Sequence, residues 1–271
     1  MRRTVPLAAC ALAVIACGPG SEPAPSAATE PAVAACWDGR WQIAGALREV
    51  NLHGRLEATT PAASFFSAGP APPDHALGAI GGLRGEYTLW DDTLAVAIGG
   101  ESPRFELRSA QGLGADPEGD LGATFAFGTR VPAWTVVTLP EAMDLAALEG
   151  FLAARVEAHG VGGAMPFRVE GAVDRVELHV VDPGSLPAGG GASCAERKER
   201  SHRFGGDALA ARVVGVFTTA HTGVMVDHTT SIHAHAILAD GRSGHVDALV
   251  LPPGARIAVP REVCPTEPAA R

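Results

Sequence analysis

Apolar and polar positions alternate in short runs through most of the chain, and the runs are separated by turn-forming residues. From residue 210 onward, "ARVVGVFTT", "GVMV", "SIHAHAIL", "SGHVDALVL" and "ARIAV" predict a succession of short strands. Earlier, "LGAIGGLRGEYTLWDDTLAVAIGG" predicts a strand followed by a hairpin that turns near Asp91 and Asp92. "RFELR" and "LGATFAFGTRVPAWTVVTL" add strands, and "MPFRVEGAVDRVELHVVDP" reads as a second hairpin. The helical period stands out in "PEAMDLAALEGFLAARVEAHG". Pro140 stands where a helix can begin, acidic residues crowd the first turn, and Gly160 follows the end. Leu145, Leu148, Leu152 and Val156 form its apolar stripe. Residues 58–76 read as a Pro-rich loop, and 183–206 as a loop that is Gly-rich and then charged. There is no internal repeat. Many strands with few helices predict an α+β fold with mixed or antiparallel sheets.

The first 35 residues stand apart from this pattern. Arg2 and Arg3 precede an apolar run too short to span a bilayer, so 1–17 reads as an export signal. "VIAC", ending at Cys17, resembles the bacterial lipoprotein box, in which that cysteine is lipidated and becomes the mature N-terminus. Cys10 ends the rival "LAAC", and a plain secretory signal is the alternative. Residues 18–35 are rich in Pro, Ala, Ser and Glu and read as a flexible tether. The folded domain is then 36–264, divisible into sub-domains of about 36–165 and 166–264, with a tail at 265–271. Export places the domain in an oxidising compartment, on a bacterial membrane facing the periplasm or the exterior. Cys36, Cys194 and Cys264 then remain. A clasp between Cys36 and Cys264 would join the domain's ends, but spacing alone leaves the pairing open.

With 271 residues, 46% hydrophobic and 19% charged, the chain can bury a substantial core. Its formal charge is −9, and loss of Arg2 and Arg3 with the leader makes it −11. Nucleic acids and anionic membranes recruit basic surfaces, so neither is expected as a partner beyond a lipid anchor. Lys198 is the one lysine and sits in the polar run "CAERKERSH", which argues against Schiff-base chemistry. A small-molecule partner is expected, and a homodimer is left open.

Three histidines fall within thirteen residues: His233, His235 and His245. In a strand, residues i and i+2 share a face, so His233 and His235 point the same way. His245 joins them if the hairpin loop is Ala239-Asp240-Gly241, because directly opposed residues of an antiparallel pair also share a face. Gly241 stands where the common three-residue loop needs a left-handed residue. A two-residue turn at Asp240-Gly241 would send His245 to the other face. Three neutral imidazoles on one face suit an open Zn²⁺ site. The cupin pattern also carries HxH, but it places a glutamate a few residues on, where this chain has Asp240 in the turn.

In context, "ARVVGVFTTAHTGVMV…HAHAILADGRSGHVDALVL" resembles the bacterial α-acetolactate decarboxylases, with their "GxxVGFxTPxYxxGIxV" stretch, HxH, short turn and "GGHV". The turn here is one residue shorter than in that pattern, and the lead-in "DHTTS" is about three residues longer. The resemblance implies an acetolactate decarboxylase-like fold and Zn²⁺ held by His233, His235 and His245. It implies decarboxylation of 2-acetolactate to acetoin. "GAIGGLRGEYTLWDDTLA" resembles the hairpin that carries an active-site glutamate, which falls on Glu86, and "PFRVEGAVDRVELHVV" resembles the strand with a substrate-binding arginine, which falls on Arg168. By themselves, Glu86 and Arg168 also fit solvated strand positions, and His179 in "VELHVV" reads as a sheet residue. The family's second catalytic glutamate lies on a C-terminal tail. Glu262 and Glu267 in "REVCPTEPAAR" are the candidates for that place, with Glu267 assigned. A lipoprotein of the same fold that binds a metal or a hydroxy acid without turning it over is the alternative function.

Overall fold

Antiparallel ladders build two sheets in a computed structural model of the chain, which describes residues 36–69, 71–115, 121–159, 161, 163–182, 196 and 199–264. The first sheet contains β1 (Gln42–Ala44), β2 (His75–Ile80), β3 (Gly85–Trp90), β4 (Thr93–Ile98), β5 (Arg104–Ser109) and β6 (Ala123–Thr129), in the order β1-β6-β2-β3-β4-β5. The second contains β7 (Trp134–Thr138), β8 (Met143–Asp144), β9 (Ala164–Val180), β10 (His202–Thr218), β11 (Ile232–Leu238), β12 (Ser243–Leu251) and β13 (Arg256–Pro260), in the order β7-β13-β9-β10-β11-β12-β8. β12 also pairs with the C-terminal half of β9, so β9, β10, β11 and β12 close on themselves. Every ladder is antiparallel, which settles the expected choice between mixed and antiparallel sheets.

Period-2 alternation decides what each face meets. On β3, Tyr87 and Leu89 pack with Phe65 and Phe66 of the short helix α2 (Ala62–Phe66), which follows α1 (Leu47–Asn51) in the chain. Glu86 and Thr88 therefore face the opposite way, toward the second sheet. A shared core of Leu77, Phe125, Phe127, Val214, Val216 and Met225 joins the sheets there. A further core lies within the second sheet, where Leu148 and Leu152 of α3 (Leu145–His159) are fully buried against Phe167, Val176 and Leu249. Burying a leucine in this way contributes about 1.5–3 kcal/mol.

Several expectations shift. α3 starts at Leu145 rather than near Pro140, because Met143–Asp144 pair with β12 and Asp144 Oδ1 accepts from Ala147 N at 2.9 Å. The hairpin expected at 165–183 is instead one unbroken strand, Ala164–Val180, paired along its length with β10. Its single glycine, Gly171, lacks the adjacent turn residue that a tight hairpin needs. β10 begins at His202, inside the segment expected to be loop to 206. "GVMV" is a turn, with Val224 N and Met225 N both bonded to His221 O. The loop at 58–76 contains α2 and the start of β2. Cys36 and Cys264 form a disulfide, beside reciprocal backbone bonds between Trp37 and the 262–264 segment. Cys17 and Cys194 lie outside the described residues, as do the leader and tether.

Candidate metal centre

The β11–β12 hairpin has the register that unites the three histidines: His235 stands opposite His245, and Ile237 opposite Ser243. Leu238 N donates to Arg242 O at 2.8 Å, and Gly241 N to Leu238 O at 2.9 Å, leaving a three-residue loop, 239–241. Gly241 takes φ +88°, a left-handed conformation that a side chain would strain. His233, His235 and His245 consequently share a face. Their ring centroids are 4.8–5.5 Å apart, and one nitrogen from each falls within 4.8 Å of the others. His233 and His235 are buried and His245 is half-buried.

Backbone carbonyls fix two of the rings. His233 Nδ1 donates to Met225 O at 2.7 Å, and His235 Nδ1 to Tyr87 O at 2.9 Å. Met225 is presented by the turn that caps α1, through Leu47 N to Val224 O and Arg48 N to Gly223 O. A proton on Nδ1 leaves the lone pair on Nε2, the arrangement typical of a metal-ligating histidine. His235 Nε2 is buried with no hydrogen-bond partner, an expense that a metal would relieve. Burial lowers both rings' affinity for protons, His233 to about 4 and His235 well below the ordinary value, with His233 adding to the latter. Two neutral rings and a third beside them fit a divalent transition metal such as zinc.

Glu86 Oε2 lies 3.7 Å from His235 Nε2. Gly85 brings β3 tightly against β4 just before it: φ is +148°, and a Cβ there would meet Ala97 O at 1.8 Å. Glu86 is 4% exposed, so its position is inside and not on a solvated strand. Burial pushes its carboxyl well above the usual range, and the charge of Asp247 adds to the shift. Glu86, His233 and His245 line one cavity of about 540 Å³, together with apolar groups including Leu83, Phe125 and Ile232.

His179 and Asp247 line the same cavity, and sequence reasoning missed their part in it. His179 opposes His245 across the β9–β12 ladder, with ring centroids 4.7 Å apart, and its Nδ1 lies 2.9 Å from Asp247 Oδ2. No local pattern marks this contact, because it depends on β12 closing onto β9.

Arg168 takes a different place. It opposes Val214, which opposes His235, so Arg168 shares the histidines' face but lies two strands away, about 10 Å at the usual spacing. It does not line the cavity, and among the described lining residues there is no lysine or arginine. Its guanidinium donates to Asp91 Oδ1 at 2.7 Å, His75 Nδ1 at 3.2 Å and Asp74 O. Trp90 and Trp134 lie 4.7 and 4.5 Å from it. Glu262 is exposed beside the Cys36–Cys264 clasp and Glu267 lies outside the described residues, so neither is seen at the cavity.

No protein-family model matches the chain, and no curated protein matches it. Among solved structures, α-acetolactate decarboxylase from Bacillus subtilis strain 168 superposes with a TM-score of 0.58 at 16% identity, covering 85% of this chain and 89% of that one. Acetolactate decarboxylase from Bacillus subtilis subspecies spizizenii gives 0.61 at 15% identity, covering 81% and 85%. A Staphylococcus aureus protein of unknown function, similar to α-acetolactate decarboxylase, gives 0.59 at 14% identity, covering 81% and 84%. The chain thus has the acetolactate decarboxylase fold over most of its length.

Proposed function

We propose that this protein is a zinc-dependent carboxy-lyase that converts 2-acetolactate, a 2-hydroxy-3-oxo acid, to acetoin. The observation that carries the reading is the trio His233, His235 and His245, two of them held with Nε2 free for a metal, beside the buried carboxyl of Glu86. A bound metal supplies Lewis acidity that stabilises negative charge on the oxygens of the substrate. Loss of CO₂ breaks the bond between the carboxyl carbon and C2, and the electron pair enters an enediolate. Glu86, whose protonated form is favoured by burial, then donates its proton to that carbon and is reprotonated from solvent. The apolar wall of Leu83, Phe125 and Ile232 limits water around the charge as it develops. Arg168 has no place in this scheme, because protein groups already hold its guanidinium.

The test is acetoin formation from racemic acetolactate by the zinc-loaded protein. Activity above that of His235→Ala supports the reading, and none above it sinks the enzyme. A second reading, a lipoprotein that binds metal or hydroxy acid without turnover, is favoured by one observation: Glu86 is the sole glutamate among the described residues lining the cavity. Stoichiometric zinc without acetoin would select it. In either reading the protein is exported and lipid-anchored through Cys17. Loss of labelled acyl chain in Cys17→Ser checks the anchor, and retention of label would exclude it.

A further inference from the structure

Besides His233, His245 and Glu86, the cavity wall includes a histidine–carboxylate pair, His179 and Asp247. Their side chains are 10% and 8% exposed. His179, His245 and Asp247 form a second compact group that could hold a metal, sharing His245 with the trio but not including His233 or His235. His179 stands beside the centre, one strand from His245. Asp247 dictates which ring nitrogen carries the proton. A carboxylate only accepts, so Nδ1–H donates to Asp247 Oδ2 and Nε2 is left as an acceptor.

A 2-hydroxy-3-oxo acid offers acceptors at its carboxylate and ketone and one donor, the 2-hydroxyl. Glu86, beside His235 Nε2, is assigned the proton-donor role in the proposed reaction and is therefore not the partner of that hydrogen. Asp227 is engaged by Asn51 Nδ2 and by Thr229. The imidazole of His179 is the complementary acceptor next to the metal set. We propose that His179, oriented by Asp247, accepts the hydrogen bond of the substrate's 2-hydroxyl and so selects hydroxy acids over their deoxy counterparts. His179 is then a specificity residue and Asp247 a positioning residue. The inference rests on the reading that the three histidines hold the metal.

Two unreactive probes test it by calorimetry on zinc-loaded protein: 2-hydroxy-2-methylbutanoate and 2,2-dimethylbutanoate, which replaces the hydroxyl with methyl. The wild type is expected to prefer the hydroxy acid. His179→Leu should shrink that preference about tenfold, the usual scale of one lost hydrogen bond to a buried acceptor, with zinc content unchanged. His179→Gln, whose amide oxygen accepts, should recover part of it. Asp247→Asn, which releases the tautomer, should fall between wild type and His179→Leu. The double variant His179→Leu/Asp247→Leu leaves no buried charge unpaired and should match His179→Leu.

An unchanged preference in a folded His179→Leu protein overturns the proposal while the metal reading stands. Loss of the first zinc equivalent in His179→Leu would make the residue a ligand, and loss of a second equivalent would make it part of another metal site. Either result overturns the proposal. Binding of neither probe to zinc-loaded wild type also overturns it. Wild type that takes up no zinc overturns the metal reading as well, and metal analysis shows this before any probe is added.

Discussion

His75 and His235 are both fully buried, and each has one ring nitrogen on a backbone carbonyl, Gly215 O at 2.8 Å and Tyr87 O at 2.9 Å. The second nitrogen of His75 accepts from Arg168 Nε. The second nitrogen of His235 has no hydrogen-bond partner and sits 3.7 Å from Glu86. Both regions lie between the two sheets and combine histidine with acidic residues. One satisfies its polar groups from within the chain and closes around an arginine packed by two tryptophans. The other leaves a nitrogen without a hydrogen-bond partner, 3.7 Å from the cavity-lining carboxyl of Glu86. The satisfied cluster joins structure together, and the unsatisfied one is the cluster to which the proposed function assigns a metal.

The sharpest way to break this contrast is to remove one residue from each cluster. His235→Ala should abolish stoichiometric zinc binding, measured by metal analysis after dialysis, whereas Arg168→Met should keep it. Zinc loss in Arg168→Met would erase the distinction. Glu86→Gln should slow acetoin formation by roughly 10²–10⁴-fold, the range for a lost general acid, while zinc is retained. Arg168→Met should instead lower stability by about 1–3 kcal/mol in urea unfolding, since His75 Nδ1 and Asp74 O would lose a buried donor. Asp91 is largely exposed, so the loss of its ion pair adds little.

Acid should separate the clusters' groups by sign. His233 titrates at about 4 when folded and about 6.5 when unfolded, so its contribution is complete above pH 6.5 and is lost as pH falls toward 4. In metal-free protein this amounts to a loss on the order of 3 kcal/mol. Glu86 acts oppositely: its raised pKa stabilises below pH 4.5, and that stability disappears as pH rises through its folded value. Urea titrations at pH 7 and 4.5 should therefore show a steeper acid loss in Glu86→Gln than in wild type. The smallest effect belongs to the turn. Gly241→Ala meets nothing nearer than Leu107 Cδ1 at 3.9 Å, so only backbone strain of about 1 kcal/mol is expected, with zinc retained.

Much of the hairpin that carries the histidines was legible. The i, i+2 spacing of His233 and His235 and the position of Gly241 are local features, and they implied the pairing of His235 with His245 that the fold displays. The α+β class was also legible from alternation, with the choice between mixed and antiparallel sheets left to the structure. Less local features escaped. "GVMV" has strand-like composition but is a turn whose Met225 carbonyl orients His233, and 164–180 is one strand and not two. Glu86 and Arg168 looked equally solvated in sequence. The sheets' packing buries both and sends only Glu86 into the cavity.

The sequence by itself determined the faces: which residues of β3, β11 and β12 point together, because a period of two and one left-handed glycine are written in neighbouring residues. Tertiary structure decided which groups on β9 meet the histidines. Arg168 and His179 lie on that one strand. β12 pairs with its C-terminal half and so puts His179 against His245, while Arg168 stays across β10 from His235. Closure of β12 onto β9 joins residues 68 apart in the chain at the His179–Asp247 contact, and no local spacing encodes a contact of that range.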